Sequence, residues 1–101
     1  MKDTFYFHTA PTNDKKYQRA TIAGILVGNQ IKFGLSKCSS KDQFVKKHGR
    51  NVAKGRALSS TGCLKTVEIP KEGNLGEWFV NQAIDILIEN KVKCFIPQKK
   101  I

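Results

Sequence analysis

Carboxylates are scarce in this sequence: eight Asp and Glu stand against 18 Lys and Arg, leaving a net charge of +10. The acids, Asp3, Asp14, Asp42, Glu68, Glu72, Glu77, Asp85 and Glu89, are scattered, unlike the clustered carboxylates of a two-metal nuclease. Cysteine is sparse too. Cys38, Cys63 and Cys94 form an odd set at wide spacings with no CxxC or CxxH pair, so no zinc site is expected and the thiols read as reduced. Neither GxxxxGK nor GxGxxG occurs, so Gly28-Asn29 is not a phosphate loop. No apolar run approaches the roughly 20 residues of a membrane span. The short run from Phe5 to Phe7, followed by His8 and Pro11, does not resemble a signal peptide. These absences predict a soluble, intracellular protein with no metal and no cofactor, and they give no positive sign of catalysis.

A hydrophobic content of 40% over 101 residues is adequate for one core, so a single domain is expected over 1–101, with a frayed basic tail at 98–101. The charge excess implies an acidic partner: DNA, RNA, a nucleotide or a membrane surface.

Thr4 to Thr9 alternates, with Phe5 and Phe7 on one side and Tyr6 and His8 on the other, and reads as a first strand. Pro11, Asn13 and Asp14 mark a turn region up to Gln18. Arg19 to Val27 is rich in β-branched and small residues, and Gln30 to Cys38 places Ile31, Phe33 and Leu35 on one face. Joined by Gly28-Asn29, these two runs predict a β-hairpin. Further on, Ser59 to Gly62 is a small-residue loop. Cys63 to Ile69 is a strand with Val67 and Ile69 facing one way and Leu64 and Thr66 the other. Asn74, with Glu77 three residues later, opens a helix reaching about Asn90, and Val92 to Ile96 is a candidate closing strand. The order β-β-β-α-β-α, with a last β if that segment pairs, predicts an α+β domain: an antiparallel sheet with two helices packed on it.

The stretch Ser39 to Leu58, SSKDQFVKKHGRNVAKGRAL, carries the functional expectation. Ser40 with Gln43 is a capping box and Asp42 falls in the first turn, so a helix is expected to start there. Six cations follow one another: Lys41, Lys46, Lys47, Arg50, Lys54 and Arg56. At helical spacing Phe44, Val45, His48, Gly49 and Val52 share the face expected to meet the core, and Lys47, Arg50 and Lys54 line the opposite one. Arg56 falls on the inward side. There it must reach a carboxylate, a carbonyl or a bound anion, unless the helix stops near Gly55 and releases it into a loop. Arginine forks bind phosphate through two parallel hydrogen bonds. Gly49 and Gly55 each weaken a helix by roughly 1 kcal/mol, and would permit close approach by a ligand or by the sheet. Phe44, Lys47, Arg50, Lys54 and Arg56 are therefore the expected ligand contacts, with Phe44 against a base. A solvated lysine face is the plain alternative. His48 is expected to be a satisfied core histidine, because a Cys38–His48 nucleophilic pair lacks an orienting third group.

In the second helix Glu77, Asn81, Asp85 and Glu89 make one polar stripe, while apolar residues fill most of the remaining circumference. That arc is wider than one sheet face requires, so part of it is expected at a subunit contact, anchored by Trp78 and Phe79 with Ile86. The alternative is a helix cradled by a strongly curved sheet.

The Cys-Ser start, Lys41-Asp42-Gln43-Phe44, Gly49-Arg50, Ala53 and Gly55-Arg56, placed after a hairpin and before a strand and a long amphipathic helix, resemble the first anti-Thoeris family of phage proteins. The resemblance covers mainly Gly34 to Leu58, about a quarter of the chain. It implies a nucleotide-messenger sponge that sequesters cyclic ADP-ribose-type signals, and in some members cyclic oligonucleotides, without degrading them. It also implies homo-oligomers (dimers or hexamers), ligand sites at subunit contacts, and action in the cytoplasm of an infected bacterial host. A small basic nucleic-acid-binding protein is the competing expectation.

Overall fold

The computed structural model describes residues 4–9, 19–38, 45–59 and 62–92. In chain order these form β1 (Thr4–His8), β2 (Arg19–Val27), β3 (Gln30–Cys38), α1 (Lys46–Leu58), β4 (Lys65–Glu68) and α2 (Leu75–Glu89). The strands make one antiparallel sheet in the order β1-β2-β3-β4, which is the α+β arrangement expected from the sequence. Its centre is the β2–β3 hairpin, paired from Val27 opposite Gln30 to Arg19 opposite Cys38. The two-residue connection places Gly28 at φ +65°, a left-handed conformation glycine adopts without steric cost. β1 extends the sheet with Thr4 opposite Ile25 and His8 opposite Thr21.

The helices lie on opposite faces of this sheet. On one face the rings of Phe33 and Phe79 stack at 5.6 Å, Phe5 meets Phe79 at 5.5 Å, and Trp78 tilts against Phe33 at 6.3 Å. Ala20, Ile22, Ile31, Leu35, Ala83, Ile86, Leu87 and Val92 complete this core. Gly24 lets Phe79 sit directly on β2, since a β carbon there would collide with its ring and come within 2.9 Å of Ile31 Cγ2. α2 begins as its sequence signals: Asn74 Oδ1 accepts from the Glu77 amide at 3.1 Å. Lys65 Nζ on β4 reaches Glu89 Oε1 at 3.4 Å near the other end of the helix.

On the opposite face α1 presents Gly49, Ala53 and Ala57, all buried. Below them a β carbon on Gly34 would lie 2.5 Å from the Ala57 amide nitrogen and collide with the Ala53 carbonyl. The helix backbone therefore rests on the strand, and only small side chains fit the contact. This corrects the expected inward face. Val45 and His48 are exposed and Val52 half-buried, so His48 is no core histidine. Thr21, Ala23, Gly34 and Ser36 make this sheet face shallow, and a helix approaching it so closely turns its smallest residues inward. Nor does the helix stop at Gly55. It runs to Leu58, where the Ser59 amide donates to the Gly55 and Arg56 carbonyls.

A second correction concerns the expected interface anchors. Phe79 (2% exposed) and Ile86 (1%) belong to the chain's own core, and Trp78 is half-buried against Phe33. Phe5, Phe7, Leu26, Val67, Ile69 and Leu75 pack around that core and absorb much of the wide apolar arc within one protomer. Val80 and Ile88 are what α2 leaves exposed. The capping box at Ser40 and Gln43, Asp42, Phe44, the turn region around Pro11, the closing strand beyond Val92 and the basic tail at 98–101 lie outside the described residues. Among the described residues no helix is long and apolar enough to cross a membrane.

Candidate anion-binding site

β3 leads into α1 through residues 39–45, so the first turns of α1 lie near the ends of β1 and β2. Val45 occupies the N-cap position with no side-chain hydrogen bond, and the first turn holds no acidic residue. The amides there leave the positive end of the helix dipole uncompensated by any described carboxylate. Lys46 is the first helical residue. One turn later the half-buried Arg50 holds its guanidinium 5.9 Å above the Tyr6 ring of β1, within cation–π range.

Two residues beyond Tyr6 on the same strand face is His8, whose Nδ1 lies 2.8 Å from Thr21 Oγ1 on β2. Arg19 is two residues from Thr21 and shares its face of β2. Burial, and then the positive charges of Lys46, Arg50 and Arg19, push the His8 imidazole below its ordinary 6.5. Three cations, a histidine and the N-terminus of α1 thus converge between β1, β2 and α1, and the field of these described groups favours an anion.

Of the residues expected from the sequence to hold a ligand, Arg50 is in this cluster. Lys47 and Lys54 are exposed on the outer side of α1 and take no part in it. Arg56 has a structural occupation: its Nη1 donates to the Leu35 carbonyl at 2.6 Å. β4 ends its pairing just short of this point, with the Leu64 amide donating to the Phe33 carbonyl at 2.9 Å. The Leu35 carbonyl is the next acceptor on that edge of β3, and Arg56 satisfies it where the strand has run out. Of the three partners considered for Arg56, the carbonyl is the one observed.

Comparison with protein-family models, curated proteins and solved structures finds no match to this chain. The cluster must therefore be judged on its own residues. Sequence reasoning placed Lys46 with Arg50 in the basic stretch but did not bring Tyr6, His8 and Arg19 beside them. One signal was present: the alternation of β1 places Tyr6 and His8 on the face away from Phe5 and Phe7. The register that brings His8 opposite Thr21 depends on the 9–18 connection, whose length fixes no pairing. Among the described residues no group of three or more His, Cys, Asp or Glu could hold a metal ion. Cys63 is a half-buried free thiol whose Sγ donates to the Lys65 carbonyl at 3.4 Å.

Proposed function

We propose that this protein binds a phosphate-bearing nucleotide messenger and sequesters it without chemical change, the sponge activity that its resemblance to the first anti-Thoeris family implies. The observation that carries this reading is the convergence of Lys46, Arg50 and Arg19 on the half-buried His8, whose imidazole their charges help to push below its ordinary value. A pyrophosphate between these groups would meet a guanidinium capable of paired hydrogen bonds, and Tyr6 offers an aromatic surface nearby. Sequestration calls for affinity and stoichiometry rather than turnover, and the cluster's features are those of binding. Action in the cytoplasm of an infected bacterium and assembly into homo-oligomers belong to the same proposal. For assembly, Val80 and Ile88 are the exposed apolar residues of α2.

The test is titration calorimetry with cyclic ADP-ribose isomers, joined to native mass spectrometry of protein purified from cells that make the messenger. Saturable uptake of one small molecule per site, retained through purification, is the expected result. Absence of both heat and retention would end the proposal. The exposed Lys47 and Lys54 on the outer side of α1 favour a second reading, contact with a nucleic-acid backbone. It predicts steeply salt-dependent binding to long DNA or RNA, with no small-molecule stoichiometry.

A further inference from the structure

We infer that the outer face of α1 reads the major groove of duplex DNA, with Asn51 and His48 at the base edges and Lys47 and Lys54 against the phosphates. This rests on the nucleic-acid reading above and deepens it, from contact with a backbone to recognition of bases. It is independent of the cluster around Arg50, which lies at the flank of the helix. The placement of the residues supplies the case. Gly49, Ala53 and Ala57 fix the side of α1 that meets the sheet. At about 100° per residue, Asn51 and Gly55 fall opposite them, at the crown of the helix. Lys47, Lys54 and Leu58 stand on one side of that crown and His48 on the other, and all six are exposed.

Three features select the partner. α1 carries Lys46, Lys47, Arg50, Lys54 and Arg56 and no carboxylate in its 13 residues. The described carboxylates, Glu68, Glu72, Glu77, Asp85 and Glu89, lie on β4, the connection after it and α2. A polyanion is thus the complement of this helix face. The crown itself holds hydrogen-bonding side chains, and Leu58 at the helix end is its one apolar member. Docking on a protein or insertion into a lipid surface calls for apolar anchors there instead. The third feature is Gly55. Glycine weakens a helix relative to alanine, and this one is neither left-handed nor packed: a β carbon on it would meet nothing within 4 Å. Gly49, by contrast, is buried at the sheet contact. A bare crown lets the helix axis come close to its partner. A helix about 10–12 Å across fits the major groove of B-form DNA, about 12 Å wide, and not the deep, narrow groove of an RNA duplex. In that groove asparagine pairs with adenine through N6 and N7, while lysines neutralise the flanking phosphates.

The test selects binders from a randomised DNA duplex library with the full chain. Fluorescence anisotropy then compares the selected duplex, its single-base variants and an RNA duplex of the same sequence. The expected result is a preference for one adenine of about 5- to 100-fold over the other bases, with weaker binding to the RNA. Asn51→Ala should lose that preference. Lys47→Ala should weaken all sequences alike and lower the salt slope by about 1. Gly55→Leu should lose most of its affinity for DNA with an undiminished denaturation midpoint, because the free helix has room for the side chain. Equal binding of DNA and RNA duplexes without base preference, or wild-type affinity in Gly55→Leu, overturns the inference and leaves backbone contact standing. No binding to either duplex overturns both, and leaves messenger sequestration to its own test.

Discussion

The two faces of the sheet are built on opposite principles. The α2 face is filled with large side chains, Phe5, Phe7, Ile22, Phe33, Phe79 and Leu87, whose removal from water is the main favourable term in folding. Where α1 meets the strand the opposite face is lined with Thr21, Ala23, Gly34, Ser36, Gly49, Ala53 and Ala57, which bury little area each but let two backbones touch, while Ile25 is the large buried side chain on that side of β2. Large side chains keep a helix at a distance and tolerate small shifts. Small ones fix its position closely, and at the margin of that contact stand Tyr6, His8, Arg19, Lys46 and Arg50. One face supplies stability and the other supplies placement, with a single strand layer between them.

The sharpest way to break this contrast is to change neighbouring residues in opposite senses. Phe33→Ala empties the α2 face and should lower unfolding free energy by about 4 kcal/mol, within the usual range for a buried phenylalanine. Gly34→Ala adds one carbon to the α1 face and should cost about 2–3 kcal/mol, because its neighbours are helix backbone atoms with no rotamer to change. Chemical denaturation measures both. For a domain of this size each kcal/mol corresponds to about 4–8 °C in Tm. If Gly34→Ala proves neutral, α1 does not rest on the strand and the contrast fails.

The two faces were also unequally legible in the sequence. Alternation of Ile31, Phe33 and Leu35, the Gly28-Asn29 turn and the Asn74 cap identified the hairpin and α2, because local spacing determines them. Two errors came from reasoning about one helix at a time. The expected inward face of α1 joined Gly49, which is buried, to the larger Val45, His48 and Val52, whereas Ala53 and Ala57 are its buried companions. The depth available was decided by Gly34, fifteen residues earlier. Phe79 and Ile86 were placed at a subunit contact because the extent of the covering sheet is not visible in the helix itself. The cation cluster is non-local as well: Tyr6, His8, Arg19 and Arg50 come from three elements, and spacing within any one of them is silent about the other two.

The arginines of α1 test the distinction further, since they have similar sequence surroundings and different employment. Arg50→Ala should weaken cyclic ADP-ribose binding by about 1.5–3 kcal/mol, as for a charge-assisted hydrogen bond, with a much smaller change in stability. Arg56→Ala should do the reverse. It leaves the Leu35 carbonyl without its donor and should cost about 1 kcal/mol of stability, near the low end for such bonds because the side chain is largely in solvent. Calorimetry and denaturation on both variants separate the roles. An Arg56 variant that loses ligand while keeping its stability would return that residue to the binding site and remove it from the sheet edge.

The smallest effect is the stability of the ligand-free protein against pH, and it bears on what the α1 face costs the fold. Cations beside a half-buried histidine are tolerated while the ring is neutral. Its value lies below the ordinary 6.5 when folded and returns to about 6.5 when unfolded, so the unfolded chain binds the extra proton first as pH falls. Stability from this group is therefore complete above pH 6.5, declines as pH drops through it, and reaches its floor once pH is below the folded value. Denaturation midpoints between pH 7.5 and 5.5, above the range where most carboxylates titrate, should fall for the wild type and fall less for His8→Gln. Equal slopes for wild type and His8→Gln would mean that the cations do not act on this ring, and that the α1 face carries no electrostatic cost for a ligand to relieve.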